Sequence, residues 1–437
     1  METSPFKEMA KEIYAAAVKA VDPYGSVMRH MESIRSTFRE GQYERLFTVS
    51  FGKAACPMAR ALEDHLGEMI TAGIVLTKYG HCAPFHRHTG IRVFEAGHPV
   101  PDESGVRGTG EIIFLLKDST ERDMVVFAIS GGGSALCVAP YDGITLQDKQ
   151  SLTNLLLRSG ADIHEINAVR KHISKVKGGR LAEIAAPSHC IALILSDVIG
   201  DRLDVIASGP TAPDPTTYHD ALAVLDKYLL LEKTPQTILE VIYRGVAGLW
   251  PETPKPGGKT FERVENIIVG SNRAALETAR SKTESMGLHA EVVSSELTGE
   301  AAEAGRWLAR RALETQNSRA PFLPLCLISG GETTVTLRGN GTGGRNMELA
   351  LAFALEVEGE AGITLLSAGT DGTDGPTDAA GALVDGETVG KAREKGLSPE
   401  AFLKNNDSYH FFKKTDELFI TGPTGTNVMD MQIIIVE

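Results

Sequence analysis

The sequence is short of cations, aromatic residues, paired cysteines and long apolar runs. Forty-four lysines and arginines stand against 57 aspartates and glutamates in 437 residues, a net charge of −13. General nucleic-acid binding needs a basic face, so it is excluded, and any phosphate-bearing ligand must be met by cations or metal gathered locally. Aromatic residues make up only 6% of the chain. The five cysteines (Cys56, Cys82, Cys137, Cys190, Cys326) are scattered, odd in number and never spaced Cys-x-x-Cys. That pattern predicts reduced thiols in a cytoplasmic protein. No run approaches the roughly 18 apolar residues of a membrane span. The opening "METSPFKEMAKEIYAAAVKAV" lacks the apolar core of a signal peptide, so no membrane partner is expected. Two nucleotide signatures are also missing: no Gly-Lys-Ser/Thr closes a Walker A loop, and no Gly-x-Gly-x-x-Gly opens a dinucleotide-binding unit.

A hydrophobic content of 42% with 23% charged residues is that of a globular chain. The length is too great for one core. A helix is predicted over 5–21, with Ser4 able to cap it and Pro5 at its first position. A strand running into a Gly turn at 45–55 and apolar strands at 72–80, 91–98, 123–130 and 189–198 alternate with helical patterns at 55–67, 103–117 and 147–158. This alternation predicts an α/β fold built on mainly parallel sheets flanked by helices. "WPETPKPGGKT" (250–260) reads as a linker. It sets an expected boundary between a Rossmann-like domain, 1–255, and a second α/β domain, 256–437.

"VVFAISGGGSALCVAP" (125–140) runs a strand into Ser130, Gly131, Gly132, Gly133 and Ser134. Such a turn serves a strand-to-helix reversal, or it cradles an anion on backbone N–H groups. "LISGGETTV" (327–335) repeats the Ile-Ser-Gly-Gly ending, which reads as reuse of a common turn rather than duplication. Lys53, in "SFGKAAC", sits at another strand-to-helix turn. It reads as a solvated lysine or as a point charge for phosphate. "INAVRKHISKVKGGRLA" (166–182) gathers Arg170, Lys171, His172, Lys175, Lys177 and Arg180, with Gly178 and Gly179 beside Lys177. The readings there are a basic helix face or a phosphate-facing segment. Asp197 follows a buried-looking strand, where a carboxylate can take a hydroxyl proton or simply cap a turn. Arg345 opens a helix after "GNGTGG". The helix dipole disfavours a cation there, which predicts a compensating anion. Asp371, Asp374 and Asp378 interleave with Gly and Thr at 369–380, a candidate Mg²⁺ loop or a run of Asx turns. "HCAPFHRH" (81–88) reads as a polar loop rather than a zinc site, because its spacing matches no standard ligand set.

Together the motifs resemble the class II glycerate 2-kinases, the family with a C-terminal MOFRL domain. The resemblance is carried by "GKAA", "AGHPVPDE", "SGGGSAL", "INAVRKHISKVKGGRLA", "SDVIGD", "IASGPT", "SGGETTV", "GGRNMELAL", "GTDGTDGPTDAAGA" and "TGPTGTNVMD", in order over nearly the whole chain. It implies ATP- and Mg²⁺-dependent phosphorylation of D-glycerate at the 2-hydroxyl, in a two-domain α/β protein with an interdomain active-site cleft. Lys53, Asp197 and Arg345 are then the expected catalytic residues, with Lys53 and Arg345 also binding substrate. Ser130 to Ser134 with Lys177, Gly178 and Gly179 would hold the nucleotide phosphates, and Asp371 and Asp374 the metal. Met347 and Cys137 depart from the family's usual glutamine and leucine, a matter of tuning rather than reaction type. Assembly with further copies of the chain stays open. Two rival functions remain: a nicotinamide-dependent hydroxypyruvate or tartronate semialdehyde reductase, and a non-catalytic hydroxy-acid or nucleotide sensor.

Overall fold

The computed structural model describes residues 5–82, 85, 90–318 and 324–437. Its strands, in chain order, are β1 (Arg45–Phe51), β2 (Ile70–Lys78), β3 (Ile91–Ala96), β4 (Asp123–Ile129), β5 (His189–Leu195), β6 (Val264–Gly270), β7 (His289–Leu297), β8 (Leu325–Gly331), β9 (Ile363–Gly369), β10 (Gly381–Asp385), β11 (Leu418–Phe419) and β12 (Asp430–Val436). Among the described residues they form two six-stranded sheets, ordered β3-β2-β1-β4-β5-β6 and β11-β10-β9-β12-β8-β7.

In the first sheet, β3, β2, β1, β4 and β5 pair in parallel. β4, "DMVVFAI", is buried at every position, as a parallel strand covered on both faces must be. Phe51 and Phe127 are fully buried in the core on this sheet, each stabilising by about 2–3 kcal/mol. In the second sheet β7 and β8 are parallel, and β12 runs antiparallel between β8 and β9. β10 and β11 add antiparallel edges. Four of these six strands share a direction, and β10 and β12 oppose it. The α/β architecture is as the sequence implies; the second sheet is mixed.

The chain divides into an N-terminal unit, Pro23–Val269, and a C-terminal unit that joins Met1–Asp22 to Gly270–Glu437. This differs from a single boundary near 255, for two reasons. The helix Pro5–Ala20 packs in the C-terminal unit, where the Tyr14 hydroxyl donates to the Gly369 carbonyl at 2.6 Å and Lys7 pairs with Asp385 at 2.7 Å. Ser4, its expected cap, lies outside the described residues. The proline-rich segment is fastened rather than free. Thr253 is buried, the Pro251 carbonyl accepts from Arg180, and the Pro254 carbonyl accepts from the Asp214 amide. β6 then joins the first sheet, its Asn266 bonded both ways to Thr211.

The helix patterns fall close to expectation at Ala55–Leu66, Glu103–Leu116 and Leu146–Ser159. The last begins with a capping box between Thr145 and Asp148. One cysteine expectation fails: Cys56 and Cys82 are joined as a disulfide, with Cα atoms 5.5 Å apart. Cys137, Cys190 and Cys326 are free and buried.

Candidate active site

Parallel pairing lines up the carboxyl ends of β1, β4 and β5: Phe51 pairs with Ile129, and Ile129 with Ile194. The residues that follow each strand therefore meet on one rim, where open α/β sheets bind ligands. The turns after β1 and β4 are tied together. The Ser130 hydroxyl accepts from the Ala54 amide at 3.0 Å, and the Lys53 amide donates to the Gly131 carbonyl at 2.9 Å. The triple glycine is needed for space as well as for rotation. The Asp197 carboxylate occupies the place where a Cβ on Gly131 would stand. Gly132 has φ +80°, and a Cβ there would lie 3.0 Å from both the His98 ring and Lys53 Cγ.

Lys53, His98, Gly131, Gly132 and Asp197 thus converge after four strands of one sheet. Among the described residues Lys53 has no carboxylate partner. His98 was missed by sequence reasoning; its signal was "AGHPVPDE", directly after β3. Burial, then the charges of Lys53 and Lys78 and the neighbouring His81, pushes its imidazole down to about 4, so the ring is neutral at pH 7.

Beneath this rim the assigned phosphate residues divide. Ser134 faces the Ser208 hydroxyl at 2.8 Å, and Ser208 donates to Asn167 at 3.0 Å. Ser208 and Ala207 both hold positive φ, 63° and 51°, a strained backbone pressed against the Gly133 turn. Lys177 is buried. Its ammonium donates to the Ser134 carbonyl at 2.8 Å and the Cys137 carbonyl at 3.3 Å. It props the turn from behind instead of meeting ligand alone. Gly178 and Gly179 likewise serve packing. A Cβ on either would press on the Asp214 or Phe261 side chain.

Arg345, Asp371 and Asp374 belong to the C-terminal unit, beyond β8 and β9. Arg345 opens the helix Arg345–Glu356. Its guanidinium holds buried Asp430 through Nε at 2.6 Å and Nη2 at 2.9 Å, and pairs with exposed Glu332 through Nη1. The compensating anion expected at this helix start is the protein's own. Asp374, buried, accepts from the Asn346 and Met347 amides at 3.1 and 2.8 Å. Burial, opposed by those two amides, raises the Asp374 carboxyl to about 7. Burial also raises Asp430 to about 6, against the pull of Arg345.

Both Asp374 oxygens are committed to the helix, and Asp371 Oδ1 accepts from the Thr373 amide and hydroxyl. Among the described residues no group of three or more His, Cys, Asp or Glu gathers around a common point. Asp374 is thus engaged as a cap of the helix Arg345–Glu356, whereas only one carboxylate oxygen of Asp371 is engaged. Asp378 accepts from the Tyr409 hydroxyl. In the "HCAPFHRH" loop, Cys82 is spent on the disulfide, and His86 and His88 lie outside the described residues. Among the described residues no helix is long and apolar enough to cross a membrane.

Comparison with known proteins agrees along the whole chain. Residues 9–243 match a domain of unknown function, and residues 325–430 match the MOFRL family. A D-glycerate 2-kinase of Thermotoga maritima is 45% identical, the match covering 98% of this chain and 97% of that protein. A glycerate 2-kinase of Pyrococcus horikoshii is 43% identical over the same shares. A relative from Agrobacterium vitis with a provisional hydroxypyruvate reductase name is 39% identical, covering 98% of this chain and 94% of its own. The crystal structure of a Thermotoga maritima glycerate kinase superposes with a TM-score of 0.89 at 44% identity, covering 99% of both chains. On these similarities, the chain belongs to the MOFRL family of glycerate kinases.

Proposed function

We propose that this protein transfers the γ-phosphoryl group of ATP to the 2-hydroxyl of D-glycerate, giving 2-phosphoglycerate and ADP. The reading is carried by full-length identity to a named D-glycerate 2-kinase, and it is supported by the convergence of Lys53, Gly131 and Asp197 on one sheet rim.

Phosphoryl transfer asks a protein mainly for position and charge neutralisation. The Ser130–Ser134 turn meets the phosphate chain, and Lys177 holds that turn through its carbonyls. Lys53 neutralises charge on the transferred group or grips the glycerate carboxylate. Asp197 orients the 2-hydroxyl and accepts its proton. Arg345 is proposed for charge neutralisation through the side that Glu332 shares. Asp430, buried, fixes the guanidinium, while Glu332, exposed, is the partner a ligand anion displaces. A Mg²⁺ ion would supply charge neutralisation on the triphosphate, and no residue is assigned to it. The use of ATP as donor supports a cytoplasmic location.

The test supplies ATP and D-glycerate and reads 2-phosphoglycerate directly, without a mutase. Stoichiometric ADP and 2-phosphoglycerate are expected. Formation of the 3-phospho isomer, or NADH oxidation with hydroxypyruvate in place of phosphorylation, overturns the proposal. The absence of Gly-x-Gly-x-x-Gly argues against the reductase.

A further inference from the structure

The basic segment 166–182 sorts itself by partner. Lys171 is buried against Asp214 at 3.1 Å and Asp204 at 3.6 Å. His172 meets Glu252 at 3.1 Å, Lys175 pairs with Asp142, and Arg180 reaches Glu183 at 3.6 Å. Arg170 and Lys177 are left without a carboxylate, and they are joined by a third such cation, Lys149, from the helix Leu146–Ser159. Lys149 is only 5% exposed, and its ammonium has no hydrogen-bond or ion-pair partner among the described residues. The Nε of Arg170 is buried without a partner. Burial and mutual repulsion push Lys149 down to about 7, and burial lowers Arg170.

An acidic protein has ample carboxylates to pair these groups, yet leaves them without one at a cost to its own stability. Their place is specific. Lys177 is bonded to the Ser134 carbonyl. Arg170 lies one helical turn beyond Asn167, which accepts from Ser208 beside Ser134. Next to Lys149, Gln150 donates to the Pro101 carbonyl at 2.7 Å, on the segment that follows His98.

We infer that Lys149 and Arg170, backed by Lys177, form an anion subsite beside the triple-glycine turn that takes a phosphate group of the donor nucleotide. This rests on the kinase reading for the identity of the ligand, but not for its charge. The cost of burying three cations without a counter-charge in the free protein is recovered when phosphate arrives.

The test compares wild type with Lys149→Met and, as a second variant, Arg170→Gln. Thermal unfolding is followed at fixed ionic strength without ligand, then with tripolyphosphate, ADP or D-glycerate. The ligand-free Lys149→Met protein is expected to melt above wild type. Tripolyphosphate and ADP are expected to raise the wild-type Tm while affinity for both drops about 10- to 100-fold in either variant, the loss of a charged hydrogen bond. D-glycerate should act equally on all three proteins. Equal stabilisation of wild type and variants by tripolyphosphate, no stabilisation of wild type by it, or selective loss of the glycerate effect overturns the inference. Wild-type turnover is measured separately. Absence of 2-phosphoglycerate sinks the kinase reading whichever way the tripolyphosphate comparison falls.

Discussion

Two strands of this chain, β4 and β8, end in the same Ile-Ser-Gly-Gly, and the charges gathered near the two endings are handled in opposite ways. Beyond β4, four cations stand without a carboxylate partner among the described residues. Lys53 has no carboxylate among the described residues, and Lys149, Arg170 and Lys177 repel one another in low-dielectric surroundings. Beyond β8, Arg345 is saturated by Asp430 and Glu332, and the nearby helix start carries its own carboxylate, Asp374. The glycines differ to match. Gly131 makes room for the Asp197 carboxylate, whereas Gly330 makes room for Asn272, whose amide donates to the Val428 and Asp430 carbonyls. A shared sequence ending therefore says little about ligands. What distinguishes the two rims is whether their cations are already paired.

The largest effect should come from the unpaired rim. Lys53→Ala is expected to lower kcat/KM for glycerate on the order of 10²–10³-fold, the usual cost of one preorganised charge at a reacting group, with little change in Tm. Activity within threefold of wild type would remove Lys53 from the mechanism.

At the paired rim, loss of the cation should register first as stability. Arg345→Ala strands a buried Asp430 and should cost roughly 3 kcal/mol in urea unfolding at pH 8. The loss should shrink below pH 6, where Asp430, raised to about 6 in the folded protein, is neutral. An unfolding curve unchanged at pH 8 would show that Asp430 does not need Arg345.

The smallest effect separates the rims by the sign of their pH response. Lys149 titrates near 7 when folded, against 10.5 when unfolded. Between those values the unfolded chain binds more protons, so this group's contribution to stability grows as pH rises from 7 to 10.5. Asp374 runs the other way. Raised from 3.8 to about 7, it binds more protons in the folded protein, and its contribution is lost as pH climbs through that window. Lys149→Met should flatten the alkaline slope and Asp374→Asn the acid one. Slopes that survive both substitutions would assign them to other groups.

Much of this was legible in the sequence. Strand and helix periods placed the first five strands of the first sheet, and the residues following β1, β4 and β5 announced Lys53, the glycine turn and Asp197. The unit boundary was not legible. The Pro/Gly content of 250–260 does not reveal that Pro251 and Pro254 lend their carbonyls to the N-terminal unit, or that Tyr14 reaches Gly369 across the length of the chain. The partners of Arg345 and Asp374 were not legible for a related reason. A dipole argument correctly called for an anion at that helix start, but spacing cannot show that a residue 28 positions later supplies it. Nor does a basic segment disclose which of its cations are paired. Lys171 and Arg170 are neighbours in sequence, and only the fold gives one of them Asp214.

If phosphate is met where cations lack a carboxylate, ADP binding depends on Lys149 and not on Arg345. Titration calorimetry with ADP tests it most directly, comparing wild type, Lys149→Met and Arg345→Lys at one pH and one ionic strength. More than tenfold weaker binding by Lys149→Met, with Arg345→Lys close to wild type, is predicted. Undiminished binding by Lys149→Met alongside a large loss in Arg345→Lys would contradict the claim.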